Sequence, residues 1–86
     1  MIVAAAIKFQ DVIVSVPRPG RHRHVLKACS DLGLTMEKAA QGVYGFLNHE
    51  RAFLTRIEAL LDVLACRQPM LCQTAHPLGL FSEDLW

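Results

Sequence analysis

Basic and histidine side chains are concentrated at the start of one predicted helix. The segment RPGRHRHVLKACSDLG, residues 18–33, contains a basic cluster, defined here as Arg21, His22, Arg23, His24 and Lys27. Cations are unfavourable at a helix N-terminus because the helix dipole is positive there. Free amides and guanidinium groups at that position suit a phosphate or a carboxylate. The basic cluster therefore indicates a site for an anion or a protein partner, or else an ordinary solvated helix start.

The acidic C-terminal segment SEDLW is a candidate counterpart within the same chain. Its four final residues are Glu83, Asp84, Leu85 and Trp86. A tryptophan buries up to about 250 Å², so we expect Trp86 and Leu85 to pack in the core while the acidic groups and the terminal carboxylate approach Arg21 and Arg23. The alternative is a docking peptide that inserts Leu85 and Trp86 into a partner, since aromatic residues dominate interface hot spots.

A further cation, Arg56, stands in the first turn of the second predicted helix. If the two helix starts converge, one anionic pocket would be lined by Arg21, His22, His24 and Arg56. That pocket would suit a phosphate-bearing ligand, with His22 or His24 as acid or base in a small hydrolase.

Catalytic and metal motifs are otherwise weak. On a helix, His22 and His24 lie about 200° apart and cannot share an ion. The spacing of Cys66, Cys72 and His76 is not a usual zinc spacing, and no G-x-S-x-G nucleophile elbow is present. We therefore predict no catalytic residue, metal or cofactor.

The composition and net charge of the chain limit the classes of function that it could have. The chain of 86 residues has a net charge of +1, which excludes a strong global field for nucleic acid or membrane binding. A hydrophobic content of 52% is high for a small domain, so a second copy of the chain is a candidate partner. Three cysteines without framework spacing, and an opening MIVAAAI without a basic lead-in, favour a cytoplasmic protein with free thiols.

The periodicity predicts a single α+β domain over residues 1–86. Two short strands are expected within residues 2–16, joined by the KFQD step, with Val12, Val14 and Val16 on one face of the second strand. Helical spacing runs from His22 to Leu32, and Gly33 suits the stop. VYGFLN reads as a third strand, and a short fourth follows near Phe53.

A second helix is predicted from Arg56 to Arg67. Thr55 and Glu58 form a capping box before it, and Pro69 ends it. Its apolar stripe consists of Ile57, Leu60, Leu61 and Leu64. Thr35 could cap a short helical turn between the first helix and the third strand. The expected fold is thus a small, mostly antiparallel sheet of three or four strands with two main helices.

Four segments at both ends and in the middle of the chain carry a resemblance to known proteins: the AAAIK start, the SVPRPGRHRH segment, GFLN followed by FLTRIEA, and the terminal SEDLW. In these segments the chain resembles a family of small uncharacterised proteins from tailed phages and prophages of proteobacteria. Arg23 interrupts a usual pair of histidines, and the NHERA turn lacks the expected glycine. The resemblance implies a phage or prophage source without implying a reaction.

Two function hypotheses follow. The first is a small non-enzymatic binding protein that docks on a host or phage protein, as a modulator or inhibitor of a host protein or defence system. The second is a nucleotide- or phosphate-binding domain, or small hydrolase, that uses the arginines and histidines of the basic cluster.

Overall fold

The computed structural model describes residues 1–9, 12–34, 41–71 and 79–86, with the side chain of Glu83 excepted. Within them the elements are β1 (Ile2–Phe9), β2 (Val12–Pro17), α1 (His22–Asp31), β3 (Val43–Asn48), β4 (Phe53–Thr55), α2 (Arg56–Cys66) and a 3-10 turn (Ser82–Asp84). The predicted α+β class is confirmed. Lys8 and Phe9, expected in a turn, continue β1. The predictions for Thr35, Cys72 and His76 lie outside the described residues.

The four strands form one antiparallel sheet in the order β2-β1-β3-β4. In the register, Ala5 lies between Val16 on β2 and Phe46 on β3. The side chains of directly opposed residues project from the same face of a sheet. These three side chains pack with residues of both helices, so α1 and α2 lie on the same face of the sheet.

Helix α1 follows the proline-rich turn after β2 and covers the β1–β2 side of the sheet. Val25 and Cys29 are fully buried at helical spacing. Burial raises the pKa of the Cys29 thiol. The helix ends where Gly33 takes φ +87°, a conformation that favours glycine, as the sequence predicts.

Helix α2 begins with the predicted capping box. The Thr55 amide donates to Glu58 Oε1 at 3.0 Å, and the Glu58 amide donates to Thr55 Oγ1 at 3.3 Å. The hydrogen bond from the Thr55 amide, and after it the hydrogen bond from the Thr55 side chain, lowers the pKa of the Glu58 carboxyl. The helix ends at Cys66, and Arg67 caps it in the left-handed conformation at φ 56°.

The face that α2 turns toward the sheet differs from its predicted apolar stripe. Ala59 and Val63 are the buried residues, whereas only Leu60 of the stripe is packed against the core. The exposed fractions of Ile57, Leu61 and Leu64 are 57%, 62% and 61%. Small residues face inward because the space beneath α2 is already filled by Phe46, Leu80 and Leu85.

Candidate functional site

The C-terminal tail, defined here as residues 79–86, is anchored at the start of α1. The indole Nε1 of Trp86 donates to the carbonyl oxygen of Gly20 at 2.6 Å. The guanidinium Nη2 of Arg21 donates to the main-chain oxygen of Trp86 at 2.7 Å. Leu85 is buried in the core, and the Trp86 ring packs against the same cluster. The expectation that the tail folds back onto Arg21 is confirmed for these contacts.

The start of α2 holds the other end of the tail. The Leu80 amide donates to the carbonyl oxygen of Arg56 at 2.9 Å, and Arg56 Nη1 donates to the carbonyl oxygen of Leu80 at 3.2 Å. The Arg56 guanidinium lies 4.2 Å from the centre of the Phe81 ring and 5.5 Å from that of Tyr44. Both distances fall within the range of a cation–π contact. Arg56 therefore binds the tail through the main chain and through an aromatic face.

His22 is buried beneath α1. Its Nε2 donates to the carbonyl oxygen of Gly45 at 2.8 Å, which requires a proton on that nitrogen. The imidazole stacks on Tyr44 with ring centres 5.5 Å apart and meets Phe46 edge-on at 5.0 Å. These contacts attach the first turn of α1 to β3.

The remaining members of the basic cluster lie at the surface. His24 Nδ1 accepts from the Arg21 amide at 2.8 Å, so the imidazole takes the role that an acidic residue usually has at a helix start. Arg23 and Lys27 are exposed, and neither has an ion pair within the described part of the chain. The expected approach of Arg23 to the tail is therefore not observed in that part.

The two helix starts do converge, and Tyr44 is the point where they meet. The His22 imidazole stacks on the Tyr44 ring, and the Arg56 guanidinium lies 5.5 Å from the centre of the same ring. Arg21 and Arg56 both donate to main-chain oxygens of the tail, so the arrangement is a socket for the tail. Sequence reasoning did not assign Tyr44, Phe81 or Gly20 to it. The sequence gave one indication of these residues, namely that the aromatic Phe81 directly precedes the SEDLW segment.

Alanine substitution is expected to distinguish Arg21, which binds the tail, from its exposed neighbour Arg23. Arg21→Ala is expected to lower the free energy of unfolding by about 1–2 kcal/mol, since the Trp86 main-chain oxygen loses a charged donor. Arg23→Ala is expected to change it by less than about 0.5 kcal/mol. Urea denaturation followed by circular dichroism measures both values. Equal effects of the two substitutions would contradict the anchoring role.

Metal-binding clusters and membrane-spanning helices are both absent from the described residues. There, no group of three His, Cys, Asp or Glu side chains is arranged to hold a metal ion. Over the same ranges, no helix combines the length and apolar character needed to cross a bilayer. His22 and His24 are directed to different partners, Gly45 and Arg21, as their separation on the helix predicts.

Comparison with known families identifies the chain. A family model described as Phage T4 y16D protein matches residues 1–86. The chain belongs to this family. The resemblance to small phage proteins is thereby confirmed over the full length of this y16D-family protein. Comparisons with curated proteins and with solved structures give no significant match.

Proposed function

We propose that this y16D-family protein is a non-enzymatic binding protein that docks on a host or phage protein through the outer face of α2. The observation that carries the proposal is the exposed stripe of Ile57, Leu61 and Leu64. Its spacing of four and then three residues is that of a narrow helical seam, which fits into an apolar groove of another protein. Isolated apolar residues on a surface are ordinary, but three in register on one helix indicate an interface.

The partner we propose is a protein with an apolar groove that accepts one helix. Helix α2 has 11 residues, so it spans about 16 Å, enough for three anchor side chains on one face. Because the basic cluster is partly occupied by the tail, the outer face of α2 is better placed for docking than the helix start. Action in the cytoplasm of a bacterial host, as a modulator of a host protein or defence system, is the setting that we propose.

Phosphate or nucleotide binding has less support. Arg21 and Arg56 donate to main-chain oxygens of the tail, and His24 accepts from the backbone at the start of α1. An incoming anion would have to compete with these contacts. We therefore place the phosphate-binding and hydrolase alternatives second.

The test is capture from bacterial lysate with matched variants. Leu61→Lys places a charge in the middle of the stripe and keeps a favourable neighbour, Glu58, one turn earlier. Val12→Lys is the control, since Val12 is exposed on β2. We expect the wild type and the control to retain the same stoichiometric protein, and Leu61→Lys to lose it. With the purified partner, calorimetry should show at least a 100-fold weaker Kd for Leu61→Lys. Equal binding by all three proteins, or no captured protein, would overturn the proposal.

A further inference from the structure

The two edge strands of the sheet differ in how far they are protected. An edge strand presents unpaired main-chain N–H and C=O groups, which proteins usually limit by shortness, charge or proline. Strand β4 has three residues and continues directly into α2. Strand β2 has six residues, VIVSVP, and carries no charged side chain. Its proline stands at the end, so the rest of the β2 edge has none of these protections.

The register shows which main-chain groups of β2 point away from the sheet. The Arg18 amide donates to the Val3 carbonyl oxygen at 3.0 Å, so these two residues form a hydrogen-bonded pair. Hydrogen-bonded pairs alternate with non-bonded pairs along an antiparallel ladder. The even-numbered residues of β2 therefore direct their N–H and C=O groups to β1, and those of Ile13 and Ser15 point outward.

These outward groups have no hydrogen-bond partner within the part of the chain that the structure describes. Ile13 is 41% exposed and Ser15 is also exposed, so solvent reaches this edge. At another strand end the chain does pair such groups, because the Gln68 side chain binds both the amide and the carbonyl oxygen of Ile2, at 2.6 and 3.0 Å. The β2 edge is thus a row of donors and acceptors that another extended main chain can satisfy.

The turn after β2 determines where an added ladder stops. Pro17 has no N–H, and its carbonyl oxygen already accepts from the Gly20 amide at 2.9 Å. A Cβ on Gly20 would clash with Val16 Cγ1, so the turn lies closely over this end of the strand. An added strand can therefore pair at Ile13 and Ser15 but cannot extend past Pro17.

We propose that the edge of β2 binds an extended segment of a partner protein, which joins the sheet as a further strand. The outward main-chain groups specify an extended segment, because a strand presents donors and acceptors at the spacing of a ladder. Val12 and Ile13 project from opposite faces and are 58% and 41% exposed, so apolar side chains are favoured on both faces of the segment. This surface includes no residue of the exposed stripe on α2.

Charge favours a different protein over a second copy as the source of this segment. Arg18, directly after β2, and Arg23 and Lys27 on α1 are exposed and have no ion pair within the described ranges. The carboxylate of α1, Asp31, lies at the last position of the helix. Pairing of two β2 edges would place both copies of α1 on the same side of one sheet, so their cations would repel each other. We therefore expect the partner segment to carry acidic residues.

Fluorescence anisotropy with synthetic peptides tests the proposal. The probe is the fluorescein-labelled peptide EEVTVTVEE, whose β-branched residues favour a strand, and KKVTVTVKK is its basic counterpart. We expect the acidic peptide to saturate the protein below about 1 mM and the basic peptide to bind at least about tenfold more weakly. The acidic peptide should also slow hydrogen exchange of the Ile13 and Ser15 amides.

A proline at position 15 provides the diagnostic variant. Ser15→Pro removes an outward N–H that β1 does not use, and Ser15→Val is the matched control that keeps it. We expect Ser15→Pro to weaken binding of EEVTVTVEE by about tenfold, and Ser15→Val and Leu61→Lys to bind it like the wild type. Circular dichroism checks that each variant is folded. If Ser15→Pro does not fold, the block is placed in the probe, since EEVTVTVEE with every valine and threonine amide methylated should not bind.

The other outcomes would overturn the proposal. These are a wild type that is not saturated by EEVTVTVEE up to about 1 mM, equal binding of the methylated peptide, and equal binding by folded Ser15→Pro. Dimerisation of the wild type that folded Ser15→Pro lacks would identify a second copy as the occupant instead. Loss of peptide binding in Leu61→Lys would place the peptide on α2, whereas failure of Leu61→Lys in partner capture alone concerns only the docking function.

Discussion

Replacing Trp86 with alanine is expected to lower the free energy of unfolding by about 3 kcal/mol. The ring packs against the core cluster that contains Phe46, Leu80 and Leu85, and its Nε1 donates to Gly20 at 2.6 Å. A domain of this length has a total stability of roughly 4–13 kcal/mol. The substitution therefore removes a large share of the stability, although Trp86 is the last residue of the sequence.

A conservative variant separates the two contributions of Trp86. Trp86→Phe keeps an aromatic ring in the core and removes the N–H donor, so a loss of about 1 kcal/mol is expected. Urea denaturation followed by far-ultraviolet circular dichroism measures both variants on the same scale. A loss below about 0.5 kcal/mol for Trp86→Ala would show that the tail does not contribute to the folded domain.

Gly79→Ala is expected to lower the free energy of unfolding by roughly 2–4 kcal/mol. Gly79 has φ +98°, and a Cβ there would be 2.5 Å from the Arg56 carbonyl carbon and 2.7 Å from the Ile57 nitrogen. Both atoms belong to the backbone of α2, so neither yields without moving the helix. The added methyl group would push the tail away from Arg56 and weaken the bond from the Leu80 amide.

Gly33→Ala is the matched control for this prediction. Gly33 has a similar φ of +87°, but a Cβ there would meet no atom of the described residues within 4 Å. Gly33→Ala is therefore expected to lower the free energy of unfolding only by the cost of the strained backbone conformation, about 1 kcal/mol. Thermal unfolding of the two variants side by side isolates the steric part. If Gly79→Ala were no more destabilising than Gly33→Ala, close packing of the tail on α2 would be excluded.

Local sequence signals were sufficient to predict much of the fold. The T-x-x-E capping box placed the start of α2 correctly, because its hydrogen bonds involve residues three apart and need no distant partner. The alternation of Val12, Val14 and Val16 gave the correct orientation of β2, since side chains of a strand alternate between faces. Gly33 similarly marked the end of α1.

The orientation of α2 depended on residues distant in sequence. The helix carries two apolar stripes, and the sequence favours the one with larger side chains. Ala59 and Val63 face inward instead because Leu80 and Leu85, more than 15 residues later in the sequence, fill the adjacent space. Tertiary packing thus decides which stripe is buried, and the periodicity of the helix alone does not predict it.

The members of the basic cluster are neighbours in the sequence, but the structure places them in different surroundings. Its histidines were grouped with its arginines because they lie in the same short run of the sequence. In the fold, His22 is buried against Tyr44 and Phe46, while Arg23 is exposed one residue later. Successive residues of a helix point about 100° apart, so neighbours in a charged run need not share an environment.

The central claim is that the start of α1 is a socket for the chain's own tail, which leaves the outer face of α2 for docking. Trp86 is the only tryptophan, so intrinsic fluorescence reports on the tail alone. The most direct measurement compares its emission maximum and its quenching by acrylamide in the folded protein and in urea. The folded protein should emit at shorter wavelength and be quenched less. Emission and quenching equal to those of the unfolded chain would contradict the account.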